Sequence, residues 1–472
     1  MNMQHRWIGA MALSSFIMSS AMTVPAFGGD VLTEVLREKG VISKEDWIRI
    51  EADREKQAAG YGEQKKSKDT PTIPFWSKKG FGFKTEDGKW QTSLQWRFQG
   101  RFTYPDRSDE DTFGDFNDNP EATFELRRVR MKIGGHGYQP WIKYYFEVDL
   151  QSTANSGGSA GSTRVIDWRI DLAKYKAFTI RVGQWKINYN RERVDSSGKQ
   201  TFVERSIVNS VFTIDRQVGV LVMGRLFPGK IYDVNYYVGV FTGSGRGEAN
   251  DDDKLMYMAR IQWNIFGREL AWKQSDLKYH EQPAASLAFG AYTNVGKCTR
   301  WSSGGCGTLV QTRSIGGAFT SDGTAADSQF KTQGMVEEFA MKWRGLAIQH
   351  EFHWKQINDQ GAGVGLKGFT GTASVVPSQT NLMGSYSQAS YFPHYLVPAI
   401  PKPLEVAFRY AFVDPNVFAS NDTLREYTVA FNWFFAGHRN KITVDVSHLS
   451  LDMPMAAAIT EQRGRLQWDV SF

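Results

Sequence analysis

Arg128, Arg130 and Lys132 occupy every second position of E-L-R-R-V-R-M-K-I, alternating with Val129, Met131 and Ile133. In an extended chain successive side chains point to opposite faces, so the three cations share one side. Arg97 and Arg101 repeat the arrangement within Trp90–Tyr104, and Glu125 is the one acid nearby. Guanidinium groups grip carboxylate and phosphate through paired hydrogen bonds and stay charged at any physiological pH. Rings of Arg and Lys are how pores select anions. The chemistry these spacings offer is therefore non-covalent: attraction and orientation of anions. Arg181, Lys342 and Arg409 add cations farther along, and Arg260, Arg344, Lys441 and Arg465 stand on later alternating segments.

A second group lies in N-Y-N-R-E-R-V-D-S-S-G-K-Q-T-F-V-E-R, residues 188–205, where Arg191, Arg193, Lys199 and Arg205 are interspersed with Glu192, Asp195 and Glu204. Folded into an enclosing wall, such a loop sets a transverse field that orients dipolar solutes. Left outside, it is an external loop with solvated charges. Acids also punctuate the wall: Glu147 and Asp149 beside Lys143 and Tyr145, and Asp167 and Asp171 beside Arg169. Those charges form either a hydrated, ion-paired lining or part of an anion track.

The elements that must carry these residues follow from the opposite faces. From Trp90 onward the alternate positions are Trp90, Thr92, Leu94, Trp96, Phe98, Gly100, Phe102 and Tyr104, aromatic at both ends. A soluble sheet would bury that face and expose the cations. A transmembrane barrel does the reverse, with apolar side chains toward lipid and polar ones toward a water-filled lumen. The pattern recurs over 89–104, 122–134, 141–152, 164–174, 177–189, 216–226, 230–242, 254–265, 283–295, 330–344, 346–358, 384–394, 403–413, 425–436, 441–452 and 464–472. That predicts an all-β chain forming a sixteen-stranded antiparallel β-barrel over residues 80–472. Long polar connections alternate with tight ones such as G-Y-Q-P at 137–140, P-G-K at 228–230 and R-G at 344–345. Short periplasmic turns and longer extracellular loops are the mark of outer-membrane barrels. The connection 266–282 is the exception, a long turn on the short side.

Composition agrees. A chain of 472 residues, 41% hydrophobic and 14% aromatic, is too polar for a helical membrane protein, whereas a barrel hides its apolar content at alternate positions. His5 and Arg6 precede an uncharged stretch, Trp7 to Phe27, read as a secretory signal peptide over 1–28 or as an uncleaved anchor. Residues 29–59 carry helical periodicity, with Gly40 as a C-cap and Ser43 and Asp46 opening a second helix. They form a short periplasmic helical extension. Residues 60–79 read as a linker. Cys298 and Cys306 form a disulfide in an oxidising compartment or remain two free thiols.

Enzymatic chemistry finds no support. His350, His353 and His448 are scattered, and no Ser/His/Asp or paired-acid constellation stands out. No metal or cofactor is expected, since the eight histidines show no matching spacing and no acidic segment has an EF-hand pattern.

The segments E-L-R-R-V-R-M-K-I-G-G (125–135), V-G-Q-W-K-I-N-Y-N-R-E-R (182–193), F-V-E-R-S-I-V-N (202–209), D-R-Q-V-G-V-L-V-M-G (215–224), Y-Y-V-G-V-F-T-G-S-G (236–245) and the closing R-L-Q-W-D-V-S-F resemble the phosphate-selective porin O and P family. The resemblance implies a homotrimeric outer-membrane porin whose third long loop folds inward. It also implies that arginines of the R-R-V-R strand and of that loop handle anions. The expected function is a passive channel for small hydrophilic solutes that favours anions, phosphate included, with small anionic or polar solutes and outer-membrane lipid as partners and no nucleic acid. The alternative is a barrel sheathing a partner such as an electron-carrying cytochrome, or a surface scaffold.

Overall fold

The computed structural model describes residues 36–50, 52–53, 71–77, 80–105, 122–150, 163–302, 305–307, 311–313, 319–321, 330–360, 379–453 and 456–472. The proposed signal peptide, residues 60–70 of the proposed linker and the acidic segment 106–121 lie outside them. Two units are distinguished, 1–70 and 71–472. In the first, residues 36–38 and 44–50 are helical. Ser43 Oγ accepts from the Asp46 backbone N–H at 3.1 Å and donates to Asp46 Oδ2 at 2.7 Å, satisfying an otherwise free donor at the helix start. Gly40 has φ +67°, the left-handed conformation that ends a helix.

The second unit begins with a hairpin of β1 (Thr72–Ser77) and β2 (Gly80–Thr85). Strand β1 corrects the expectation of a linker reaching residue 79. Ile73, Phe75 and Trp76 favour extended structure, and Pro74, which has no N–H to donate, is tolerated because β1 is an edge strand. Sixteen strands then close on themselves: β3 (Gln91–Tyr104), β4 (Thr123–Gly137), β5 (Gln139–Asp149), β6 (Arg164–Tyr175), β7 (Phe178–Lys186), β8 (Arg216–Leu226), β9 (Val234–Phe241), β10 (Met256–Ile265) and β11 (Ala284–Gly296), followed by seven more. Between β11 and the next barrel strand lie four three-residue strands, β12 (Arg300–Ser302), β13 (Gly305–Gly307), β14 (Gln311–Arg313) and β15 (Phe319–Ser321). The barrel resumes with β16 (Phe330–Trp343), β17 (Leu346–Asp359), β18 (Gln379–Tyr391), β19 (Leu404–Asp414), β20 (Leu424–Phe434), β21 (Asn440–Met453) and β22 (Ala456–Ser471).

All sixteen expected strands are present, and every barrel pairing is antiparallel between sequence neighbours until β22 meets β3, from Gly464 opposite Tyr104 to Ser471 opposite Arg97. Strand β3 divides its edge: residues 97–104 pair with β22 and residues 91–94 with β2. Strands β18 and β22 begin earlier than the apolar alternation predicts, at Gln379 and Ala456, because their first turns carry few large outward residues to reveal them. At one end the connections are tight. Arg344 and Gly345 both have positive φ, as a two-residue hairpin turn requires, and a Cβ on Gly345 would come within 2.5 Å of the Tyr395 ring.

Burial follows the inverted pattern. Phe124, Leu126, Ile170, Val182, Val220, Val238, Ile261, Phe289, Phe352, Val446 and Leu466 are exposed on the outer face, while Arg97, Gln99, Arg101 and Gln467 are buried within. Aromatic residues mark both rims: Tyr104, Phe124, Tyr257 and Phe418 toward the long connections, and Tyr175, Phe178, Phe227, Tyr232, Trp263, Phe266, Phe435 and Phe472 toward the tight turns. Such belts sit at membrane–water interfaces. Among the described residues no helix is long and apolar enough to cross a membrane.

Candidate functional site

The connection from β7 to β8 turns into the barrel. It holds a helical turn at Arg191–Val194, a 3-10 turn at Ser197–Lys199 and a short helix at Ile207–Phe212. Apolar residues drive it there. Val208, Val211 and Phe212 join Phe330, Ile357, Leu382, Tyr386, Ala411 and Val413 in a core between loop and wall. Buried backbone polar groups must find partners, and the wall supplies them. The Val203 N–H donates to Asp445 Oδ2 at 2.9 Å, the Ile207 N–H to Glu426 Oε2 at 2.9 Å and the Glu192 N–H to Glu351 Oε1 at 2.7 Å. Arg409 Nη1 donates to the Glu204 carbonyl at 3.0 Å, and Lys355 Nζ to the Val211 carbonyl at 2.8 Å. The loop is thus anchored to β17, β19, β20 and β21 across the lumen. From the side of the long connections, β12 packs on its helix, with Arg300 Nε donating to the Ser210 carbonyl at 3.1 Å. Cys298 and Cys306 are bonded there, with Cα atoms 5.5 Å apart.

Glu204 gathers three guanidinium groups from the wall. Its carboxylate receives Arg101, Arg127 at 3.1 Å and Arg128 at 3.3 Å. Burial opposes its ionisation, but Arg128, Arg101 and Arg127 outweigh that and hold the carboxyl well below the ordinary range. Glu192, nearby in the same loop, behaves oppositely. Burial pushes it up to about 7 with Glu351 adding to the rise, against Arg409 and the bonds from Ser206.

The structure brings Arg97, Arg101, Arg128, Arg130 and Lys132 onto one stretch of inner wall, as their spacing requires, but surrounds them with acids that the local sequence does not show. Arg97 pairs with Asp469 at 3.0 Å, Arg130 with Glu147 and Asp149 at 3.1 Å each, and Lys132 with Glu147 at 3.8 Å. The impression that Glu125 alone balances them is corrected. Their partners come from β5, the next strand along the chain, and from β22 and the inward loop, which are distant in sequence. The loop charges likewise engage the wall or the loop backbone, except for the pair Arg193–Asp215 within the loop. Arg193 grips Asp215 and Asp195 accepts from Gln349 at 3.1 Å, while Arg205 donates to the carbonyls of Glu192, Arg193 and Asp195. Arg191 stacks on Trp272 at 4.7 Å. Arg181 pairs with Asp171 at 2.7 Å, Arg409 with Glu426, and Lys342 donates to the carbonyls of Lys273 and Ser275.

Beneath the loop, toward the tight turns, the lumen opens into a cavity of about 1200 Å³. Lys199 reaches it from the loop; Arg97, Arg130, Lys132 and Arg181 reach it from the wall. Sequence reasoning left out Lys186, Arg216 and the turn residues Lys273, Lys278 and Arg439, which also line it. Strand alternation could not flag the last three, because they stand in connections. Among the described residues, twelve Lys and Arg line it against three carboxylates, Glu147, Asp167 and Asp171. Among the described residues no cluster of His, Cys, Asp or Glu could hold a metal ion.

The family described as phosphate-selective porin O and P matches residues 98–266, from the middle of β3 to the turn after β10. The outer-membrane channel DcaP of Acinetobacter baumannii is similar in fold, with a TM-score of 0.50 and 13% identity over 83% of this chain and 99% of that one. OmpT of Vibrio cholerae in its trimer form (TM-score 0.48, 7% identity, 81% and 99% covered) and OprB of Pseudomonas putida at high pH (0.45, 10%, 81% and 94%) are more distant. No curated protein matches. The family match over residues 98–266, with a closed sixteen-strand barrel of apolar exterior, points to the bacterial outer membrane. It supports an outer-membrane channel.

Proposed function

We propose that this protein is a passive outer-membrane channel for small hydrophilic solutes that prefers anions, phosphate among them. The observation that carries the reading is the imbalance of the vestibule wall, twelve cationic residues against three carboxylates among the described residues. Within a low-dielectric wall such an excess concentrates anions and repels cations along that part of the path. Paired arginines contribute less, since an ion pair presents little net field at a distance. The preference therefore rests on groups such as Lys143 and Lys278, which line the cavity and form no ion pair among the described residues. Assembly as a homotrimer, which the family resemblance implies, belongs to the same proposal.

The test is the zero-current potential of the reconstituted protein in a planar bilayer under a KCl gradient. A potential of the sign set by chloride permeation is expected. Replacing Lys143 and Lys278 together by Glu should move it toward the potassium value. A wild-type potential on the potassium side would refute the preference.

A further inference from the structure

The connection from β10 to β11, residues 266–282, stands on the side of the tight turns, where hairpin loops of about 2–5 residues suffice. Its middle is buried: Leu270 and Gln274 are each 2% exposed, and Ser275 and Asp276 hardly differ. Leu270 packs on Ala284 and Ala340, inward-facing residues of β11 and β16. Gln274 joins the turn to the inward loop. Its Oε1 accepts from the Thr201 N–H at 2.7 Å, and its own N–H donates to the Lys199 carbonyl at 3.2 Å. Lys342 Nζ donates to the Lys273 and Ser275 carbonyls at 2.7 and 3.0 Å. Ser275 Oγ donates to Glu405 Oε2 at 2.9 Å, and Asp276 Oδ2 accepts from the Gly345 N–H at 2.9 Å. Buried polar groups need partners, and these come from β16, β19 and the loop. The turn is therefore held inside the barrel.

The cavity beneath the loop is one-sided. Its lining comes from β3 to β9, the end of β22, the inward loop, the turn itself and the β20–β21 connection. Among the described residues that line it, none belongs to β10, β11 or β16–β21. On that other half the loop meets the wall directly, through its apolar core and through Asn432 Nδ2, which donates to the Thr201 carbonyl at 2.8 Å.

We propose that residues 266–282 are a plug that the barrel folds into its own lumen, sealing the half walled by β10, β11 and β16–β21 beneath the inward loop and confining solute to a passage along β3–β9. The proposal rests on the protein being a channel. The turn presents Trp272 and Lys273 to that passage, which makes them specificity-determining residues that strand alternation does not mark. The Arg191 and Arg260 guanidinium groups, 4.7 and 5.2 Å from the Trp272 ring, hold the indole in place. Lys342 and Arg409, inward-facing cations of the sealed half, hold the turn and the loop instead of meeting solute.

The test uses thiol reactivity. The two cysteines of the chain, Cys298 and Cys306, are bonded to each other, so an introduced cysteine is the one thiol. Ser93 on β3 lines the passage; Ser286 on β11, 3% exposed, lies opposite Ala340, beside the residues that Leu270 covers. In the full-length reconstituted protein, sulfonatoethyl methanethiosulfonate should modify Ser93→Cys about a hundredfold faster than Ser286→Cys, read as the mass of the adduct. Replacing residues 268–280 by a short Gly-Asn linker should bring Ser286→Cys to the rate of Ser93→Cys and raise single-channel conductance about twofold. Lys273→Glu in the full-length chain should move the KCl zero-current potential toward the potassium value. Equal modification of the two cysteines in the full-length chain, or unchanged conductance without the turn, would overturn the plug. If the shortened chain does not assemble, the two rates in the full-length chain decide. Those rates need no current, so a wild-type protein that conducts nothing refutes the channel separately from the plug.

Discussion

Replacing Glu204 by Ala should destabilise the folded protein by about 3–5 kcal/mol, the effect of removing one partner from a buried ion cluster. Three guanidinium groups converge on this carboxylate, which is 9% exposed. Arg101 also lies 3.5 Å from Glu125 and 2.9 Å from Gln467, and Arg127 lies 3.9 Å from Glu125. Without Glu204, three cations remain close together in a poorly solvated lumen. The loop loses its ion pairs to Arg101 on β3 and to Arg127 and Arg128 on β4, while its bonds to β17, β20 and β21, and those from Arg97 and Gln99 to Ser197, persist. Thermal unfolding in detergent should shift accordingly, and the loop should become cleavable by protease before the barrel melts. A change below about 1 kcal/mol, the size of a surface pair, would show that the cluster does not anchor the loop.

Val220→Arg should abolish or severely reduce assembly. Val220 lies mid-strand on the outer face, paired with Val182 on β7 and Val240 on β9, and all three are exposed. An arginine at the midplane of a lipid-facing wall costs about 2–4 kcal/mol. On a soluble sheet the same change at an exposed site would be nearly neutral. The measurement is the yield of heat-modifiable folded barrel in outer-membrane fractions, with Val220→Leu as the control. Wild-type yield for the arginine variant would mean that this face meets water.

The strands were legible because alternation is a period-two signal repeated sixteen times, and Trp90–Tyr104 alone shows both faces. Tight turns such as Arg344-Gly345 fixed the hairpin boundaries. The balance of charge was not legible. Arg97 finds Asp469 at the far end of the chain, a pairing created only by closure of β22 onto β3. Glu204 reads as one acid among loop cations, and only the inward fold shows it receiving arginines from the opposite wall. Strand β1 was obscured by Pro74 and by the Lys-rich residues before it. Lys186 was hidden for another reason: its partner across the sheet is Arg216, and register between strands joined by a loop of this length cannot be counted from sequence.

The central claim is that the aromatic and aliphatic face meets acyl chains while the charged face encloses water. Tryptophan emission of the protein reconstituted in lipid with brominated acyl chains tests it directly. Trp168, Trp263, Trp433 and Trp468 stand exposed on the outer surface, whereas Trp185 and Trp301 are buried inside. Strong quenching relative to unbrominated lipid, leaving a residual signal that Trp185→Phe and Trp301→Phe diminish, is the result this structure predicts. Undiminished emission in the brominated lipid would contradict it.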